Sequence, residues 1–428
     1  MRQSPAQKDE ERRAVLCVVF ECGGMHMKFD REFLKNQVFE DSLLTQNRYP
    51  SKNNLPASDV KAMEVREDGS VVLRIGAPEA GEVKVVAQFG TPTPEGYCPW
   101  EDEPVYGTKD ENGIFTAVIP WGETHTGSRS LKIYIDGTLV IWPYLPTAFG
   151  SNRIQNFIEV PDEEMAFSYI YNVPHGAVIS QRFYSSSTGK EERMMIYTPP
   201  GYTKNSEYYP VLYLLHGGSD NETSWFARNR VNDIMDNLIA EGKCRPFIIC
   251  AINDMYTYGE ESAERRWDHV DGCTEDVLIH DAIPFMEENY RVLTDKWHRA
   301  IGGLSLGALQ ACDYGFGHPE LFGNMGFLTS ITEHATYENL RGRPWKEALA
   351  HPEETAKQYK VLFCSATPQE DHFDYFLNDQ KLMKEAGLEE LMPGYHREVH
   401  PMRLTRWCSW RLGFRHFAEM LFREKSDN

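Results

Sequence analysis

Between residues 60 and 160, hydrophobic and polar positions alternate in short runs: Val71-Val72-Leu73-Arg74-Ile75, Val83-Lys84-Val85-Val86-Ala87 and Leu131-Lys132-Ile133-Tyr134-Ile135. The pairs Asp68-Gly69, Asn112-Gly113 and Asp136-Gly137 punctuate them. Period-two alternation with two-residue turn signals predicts hairpins, and several of them in sequence predict a small antiparallel β-sandwich. After about 165 the period changes. Val211-Leu212-Tyr213-Leu214-Leu215 is a continuous apolar run, Val231 to Glu241 carries apolar residues at helical spacing, and Phe247-Ile248-Ile249-Cys250-Ala251-Ile252 is apolar again. A helix around 277–289, a short strand at His298 to Gly302, a strand at Val361-Leu362-Phe363-Cys364 and a last helix from about Trp410 to Phe422 continue the alternation. Strands buried on both faces and separated by helices make a mainly parallel sheet, the α/β class.

The 428 residues exceed what one core usually supports, so division is expected. We place an extension without assigned role at 1–57, ending in the polar, proline-containing stretch Asn47 to Pro56, the sandwich at 58–163 and the α/β domain at 164–428.

Composition narrows the function classes. A net charge of -20 without any Lys/Arg run opposes a nucleic-acid partner, which requires a concentrated basic face. No segment approaches the apolar length of a membrane span, and the apolar stretch Ala14 to Phe20 is too short and wrongly flanked for a signal peptide. Nine scattered cysteines suit reduced, buried thiols, so a cytoplasmic location is expected. The oligomeric state is left open.

The candidate chemistry begins at Gly303-Leu304-Ser305-Leu306-Gly307, a G-x-S-x-G pattern between a strand and an Ala/Leu-rich helical stretch. In that context the pattern forms a nucleophile elbow, whose glycines permit a strained turn and close packing of strand on helix. Upstream, the strand ending at Leu215 runs into His216-Gly217-Gly218-Ser219. An amide from Gly217 or Gly218, together with that of Leu306, would hold the oxyanion of a tetrahedral intermediate, worth roughly 3 kcal/mol per donor. His216 is expected to order this turn from within the core.

Val173-Pro174-His175-Gly176, Tyr197-Thr198-Pro199-Pro200-Gly201-Tyr202, the run Tyr209 to Gly218 and the run Arg299 to Gly307 together resemble the esterase D family. That family takes in enterochelin-esterase-like enzymes and feruloyl or acetyl xylan esterases and is related to the mycolyltransferases. The likeness covers about 165–428. Residues 60–160 look like the early-set, Ig-like domain that precedes such esterases and resembles a carbohydrate-binding module. The resemblance implies an α/β-hydrolase that attacks a small-molecule or glycan-linked ester through an acyl-enzyme on Ser305, without a cofactor.

A serine hydroxyl needs a histidine to take its proton and a carboxylate to orient that histidine, in the chain order Ser, acid, His. Glu370-Asp371-His372-Phe373 is similar to the family's acid loop, with Asp371 the best match and Asp374 the second. The family's C-terminal pattern is Gly-His-x-Trp-x-x-Trp-Arg. Trp407, Trp410 and Arg411 match it, but Thr405 stands at the histidine. His400, five residues earlier, is the candidate base, with His396 and His416 as the other histidines of the region.

His396-Arg397-Glu398-Val399-His400 also suggests a metal pair if it is helical. It lacks a third ligand and fits no known metalloenzyme spacing, so no metal is expected. Trp225, Phe226 and Trp267 are candidates to wall an aromatic or sugar-bearing substrate. An acyltransferase would use the same acyl-enzyme, and loss of the base at Thr405 would leave a protein that binds an ester without turning it over.

Overall fold

The computed structural model describes residues 19–22, 25–28, 62–88, 101–120, 127–160, 162–256, 273–329, 343–368, 370, 373–401 and 406–423. The candidates Trp267, Asp371 and Thr405 lie outside them, as does most of 1–57, where Val19–Cys22 pairs with Met25–Lys28.

The described residues between 63 and 160 form two antiparallel sheets. One contains Met63–Val65, Val71–Gly76, Ile114–Ile119 and Thr108–Lys109, and the other is built around Val83–Ala87, Gly127–Ile135 and Arg153–Val160. Their alternating apolar positions, among them Val71, Leu73, Ile75, Phe115, Val83, Val85 and Ile133, share one buried core. The turn at Asp136-Gly137 has positive φ at both residues, 47° and 79°, the twist that matches a tight hairpin between strands.

The rest of the chain is organised by one eight-stranded sheet. We label its strands β1 (Ala177–Ser185), β2 (Lys190–Thr198), β3 (Val211–Leu215), β4 (Ile248–Ile252), β5 (Arg299–Leu304), β6 (Asn324–Leu328), β7 (Val361–Ala366) and β8 (Tyr395–Val399). Their spatial order is β1-β2-β4-β3-β5-β6-β7-β8. The β1/β2 and β2/β4 pairs are antiparallel and the others parallel. The five strands β3 to β7 are buried along their whole length, as continuous apolar runs require, and separate cores fill the two faces of the sheet.

The helices that matter for the site are α1 (Ser224–Ala227), α2 (Val231–Ala240), α3 (Leu306–Gly317), α4 (Phe373–Glu385) and α5 (Arg406–Met420). α5 begins a turn before the Trp410 start that the sequence suggests. The helix expected at 277–289 runs from Thr274 to Asn289, with a π-helical segment at Val277–Ala282. Among the described residues no helix is long and apolar enough to cross a membrane. The six described free cysteines are all buried.

The chain passes from β3 to β4 on one side, then crosses to β5 on the other. This is the switch point at which open α/β sheets form a crevice beyond their strand ends.

Candidate active site

Leu215 of β3 pairs with Gly303 of β5, so the residues two positions beyond each, Gly217 and Ser305, leave the sheet side by side at that crevice. Ser305 has φ 51° and ψ -118°, a conformation that side-chain-bearing residues avoid and that a tight strand-to-helix elbow imposes. The two glycines of the motif are there for space. A Cβ on Gly303 would stand 2.3 Å from the Gly307 carbonyl oxygen, and one on Gly307 would stand 2.4 Å from that of His216. The elbow therefore packs backbone to backbone against the turn after β3, and α3 starts immediately behind Ser305 with its amides directed toward the crevice.

The turn after β3 lies against this elbow. A Cβ built on Gly217 would approach the Ser305 Cβ to 3.4 Å, and one on Gly218 would lie 3.9 Å from the Leu306 Cβ. Among the described residues, no hydrogen bond engages the amides of Gly217, Gly218 or Leu306, and the Ser305 hydroxyl has no partner.

His216 holds this turn. The Asp254 amide, which can only donate, gives a 3.1 Å hydrogen bond to His216 Nε2. With the ring proton on Nδ1 it donates to the Gly217 carbonyl at 2.8 Å, and Asp254 Oδ1 and Asn253 Oδ1 lie 3.0 Å from Nδ1 and 3.2 Å from Nε2. Complete burial pushes the imidazole down to about 4, so the ring is neutral. Burial likewise raises the adjoining Asp254 carboxyl well above the usual range.

The rim of the site has a contribution from the antiparallel region. The Asn152 amide donates to the Ser219 carbonyl at 2.8 Å. Asp220 beside it is pushed up to about 7 by burial, against the pull of the Arg228 charge.

Trp225 and Phe226 do not wall a substrate. Trp225 is fully buried, its indole Nε1 donates to the Leu215 carbonyl at 2.9 Å, and its ring packs on Phe414, 6.1 Å between centroids. Phe226 is buried in the same core. The short helix α1 turns both rings under the sheet, because an indole whose N–H finds a strand carbonyl is more stable in the core than in water.

Nor does the structure bring His400 to Ser305. The paired residues Leu304, Leu328, Ser365 and Glu398 run straight across β5, β6, β7 and β8. Three strand spacings of about 4.8 Å separate Leu304 from Glu398 by roughly 14 Å. His400 extends the same ladder, its amide donating to the Ala366 carbonyl at 2.8 Å. Its ring is buried, with Nδ1 2.7 Å from Ser409 Oγ and Nε2 2.7 Å from Glu398 Oε1, so both nitrogens are committed elsewhere. A histidine at position 405 would have five more residues in which to cross back toward β5; His400 is still tied to the sheet.

The other two histidines of this region also meet Glu398. His416 Nδ1 lies 2.8 Å from Oε1, and His396 Nε2 lies 3.1 Å from Oε2. On the acid loop after β7, Glu370 is buried and accepts from the Thr329 hydroxyl, whereas Asp374 is exposed in the first turn of α4.

Comparison with known proteins finds esterases. A model of the Esterase family matches residues 185–384. An endo-1,4-beta-xylanase/feruloyl esterase of Xylanibacter ruminicola is 34% identical over 297 residues, 66% of this chain and 38% of that protein. Endo-1,4-beta-xylanase Y of Acetivibrio thermocellus is 26% identical over 153 residues, 33% of this chain and 13% of that protein. The chain thus spans well under half the length of these curated relatives. Among solved structures, the enterobactin esterase of Shigella flexneri is similar in fold, with a TM-score of 0.57 over 84% of this chain and 96% of that one at 14% identity. The chain thus matches the Esterase family over residues 185–384 and shares its overall fold with a solved esterase.

Proposed function

We propose that this protein hydrolyses a carboxylic ester through an acyl-enzyme on Ser305. The observation that carries the proposal is the strained elbow at Ser305 facing the Gly217-Gly218 turn, with three amides that have no hydrogen-bond partner among the described residues. Ser305 Oγ attacks the ester carbonyl. A general base takes the hydroxyl proton and returns it to the departing alcohol, the amides of Leu306 and of Gly217 or Gly218 take the developing negative charge, and water, giving a proton to the same base, then releases the acid and restores Ser305. Asp371, beside the buried Glu370, is the proposed carboxylate of the site. The base is a residue other than His400, because reaching Ser305 would require His400 to leave both the β7 ladder and its two ring partners.

The 34% identity to a protein named for feruloyl esterase activity makes a hydroxycinnamoyl sugar ester the first substrate class to test, ahead of acetyl-sugar and siderophore-type esters. Hydrolysis of methyl ferulate by the wild type and its loss in Ser305→Ala would support the proposal. Equal turnover by the two proteins would overturn it. Product analysis with an added alcohol separates hydrolysis from acyl transfer, which shares the same acyl-enzyme.

A second reading, a homologue that binds an ester without turning it over, is favoured by Thr405 at the family's histidine position and by the engagement of His400. Saturable binding of methyl ferulate without hydrolysis would select it.

A further inference from the structure

The segment 396–400, considered above as a helical pair of histidines, is a strand with one further ladder residue, and that changes its chemistry. Side chains two apart on a strand share a face, so His396, Glu398 and His400 point the same way. α5 lies over β7 and brings His416 to the same carboxylate, and a Cβ on Gly413 would stand 3.4 Å from His400 Cε1.

We propose that Glu398, His400 and His416 form a binding site for a divalent transition metal of the zinc type. One ligand atom from each lies within 4.8 Å of the other two. Two imidazoles and one carboxylate are a zinc-type donor set that leaves a coordination position open, whereas calcium and magnesium prefer all-oxygen shells. Hydrogen bonds hold His400 Nε2 and His416 Nδ1 each 2.7–2.9 Å from the Glu398 carboxylate oxygens. Metal bonds of about 2.0–2.2 Å place tetrahedral ligands about 3.3 Å apart, so each ring nitrogen opens from its Glu398 oxygen by about half an ångström while the two nitrogens, at most 4.8 Å apart, settle to the same spacing.

The protons can be accommodated without leaving the site. Ser409 Oγ, 2.7 Å from His400 Nδ1, donates when that nitrogen is bare and accepts when it carries the proton. His400 can thereby shift its proton from Nε2 to Nδ1 and present Nε2 to the metal, with Ser409 as the outer partner that fixes the tautomer. His416 makes the corresponding shift from Nδ1 to its outer nitrogen. His396, stacked on Phe363 with centroids 5.5 Å apart, holds the other oxygen of Glu398. His400 is buried, while the side chains of Glu398 and His416 are 18% and 36% exposed, which gives an ion a path from solvent. A bound ion would pin the edge strand β8 to α5.

This site is independent of the esterase reading, and its test is a binding measurement. The full-length protein, stripped of metal and freed of chelator, is titrated with Zn2+ by calorimetry and melted with and without it. One equivalent should bind and raise Tm. His416→Ala and Glu398→Gln should each weaken binding by about 100-fold or more and abolish the Tm rise, while Ser305 labelling by a fluorophosphonate stays unchanged in His416→Ala. Unchanged Zn2+ affinity in both variants, or no binding by the wild type at millimolar Zn2+, would overturn the proposal. Should the variants fail to fold, Co2+ added to the wild type should give the visible spectrum of a low-symmetry nitrogen/oxygen site. A spectrum of hydrated Co2+, or one with thiolate charge-transfer bands, would count against it.

Discussion

Arg411 and Glu159 form a fully buried two-pronged ion pair, with Nη1 2.5 Å from Oε1 and Nη2 3.0 Å from Oε2. Glu159 lies on the strand Arg153–Val160 of the antiparallel region and Arg411 on α5, so the pair joins the two parts of the molecule across its interior. Arg411 Nε also donates to the Arg228 carbonyl at 3.0 Å, and the Arg228 guanidinium lies 3.6 Å above the Trp407 ring.

Removing one member of this pair leaves an uncompensated charge in the interior, which costs about 3–5 kcal/mol. Glu159→Ala and Arg411→Ala should each lower unfolding free energy by that amount. The double replacement Glu159→Leu/Arg411→Met should be less damaging than the sum of the two. Urea denaturation of the four proteins measures the coupling, and simple additivity would show that the pair does not act as a unit.

Trp225 separates a core role from a substrate role. Trp225→Ala should cost about 3–5 kcal/mol of stability, the usual price of emptying a buried aromatic site. Trp225→Phe should cost less and leave KM for methyl ferulate unchanged. A raised KM with unaltered Tm would return Trp225 to the substrate wall.

His216 makes stability depend on pH. The unfolded imidazole takes a proton near 6.5, while the native ring resists protonation until about 4. The unfolded state therefore binds more protons in this window. Stability rises with pH from about 4 to 6.5 and is flat above it, with His216 contributing at most about 3 kcal/mol. Urea titrations from pH 4.5 to 7.5 should show that slope reduced in His216→Gln. An identical slope in the variant would mean that His216 is charged in the native protein.

Gly217→Ala tests the oxyanion turn. The added methyl would meet Leu304 Cδ1 at 2.6 Å and lie 3.4 Å from the Ser305 Cβ, displacing the turn from the nucleophile. Loss of one aligned donor should lower kcat about 100-fold or more. Full activity in this variant would place the oxyanion hole elsewhere.

The parts of the fold legible in the sequence were those whose residues are buried on both faces. Val211–Leu215 and Ile248–Ile252 announce themselves as apolar runs, and the Ser305 elbow and the His216-Gly217-Gly218 turn are short local motifs whose spacing is their geometry. Strand β8 was not legible: Tyr395-His396-Arg397-Glu398-Val399 is polar because it is an edge strand with one open side, and its histidines invited a helical reading. The same omission misplaced His400. Five residues before the expected histidine looked like a loop shift, but the ladder bond to Ala366 fixes that residue at the far end of the sheet. Trp225 beside the oxyanion turn was ambiguous for a related reason, since only the strand carbonyl that receives its N–H reveals which way the ring points.

A fluorophosphonate probe shows whether Ser305 is an activated nucleophile, because covalent labelling requires a reactive hydroxyl and not merely a fold. Peptide mapping after treatment of the wild type should find the adduct on Ser305, with no labelling of Ser305→Ala and undiminished labelling of His400→Ala if that variant remains folded. A wild-type protein that stays unlabelled, or carries the adduct on another residue, would contradict the claim.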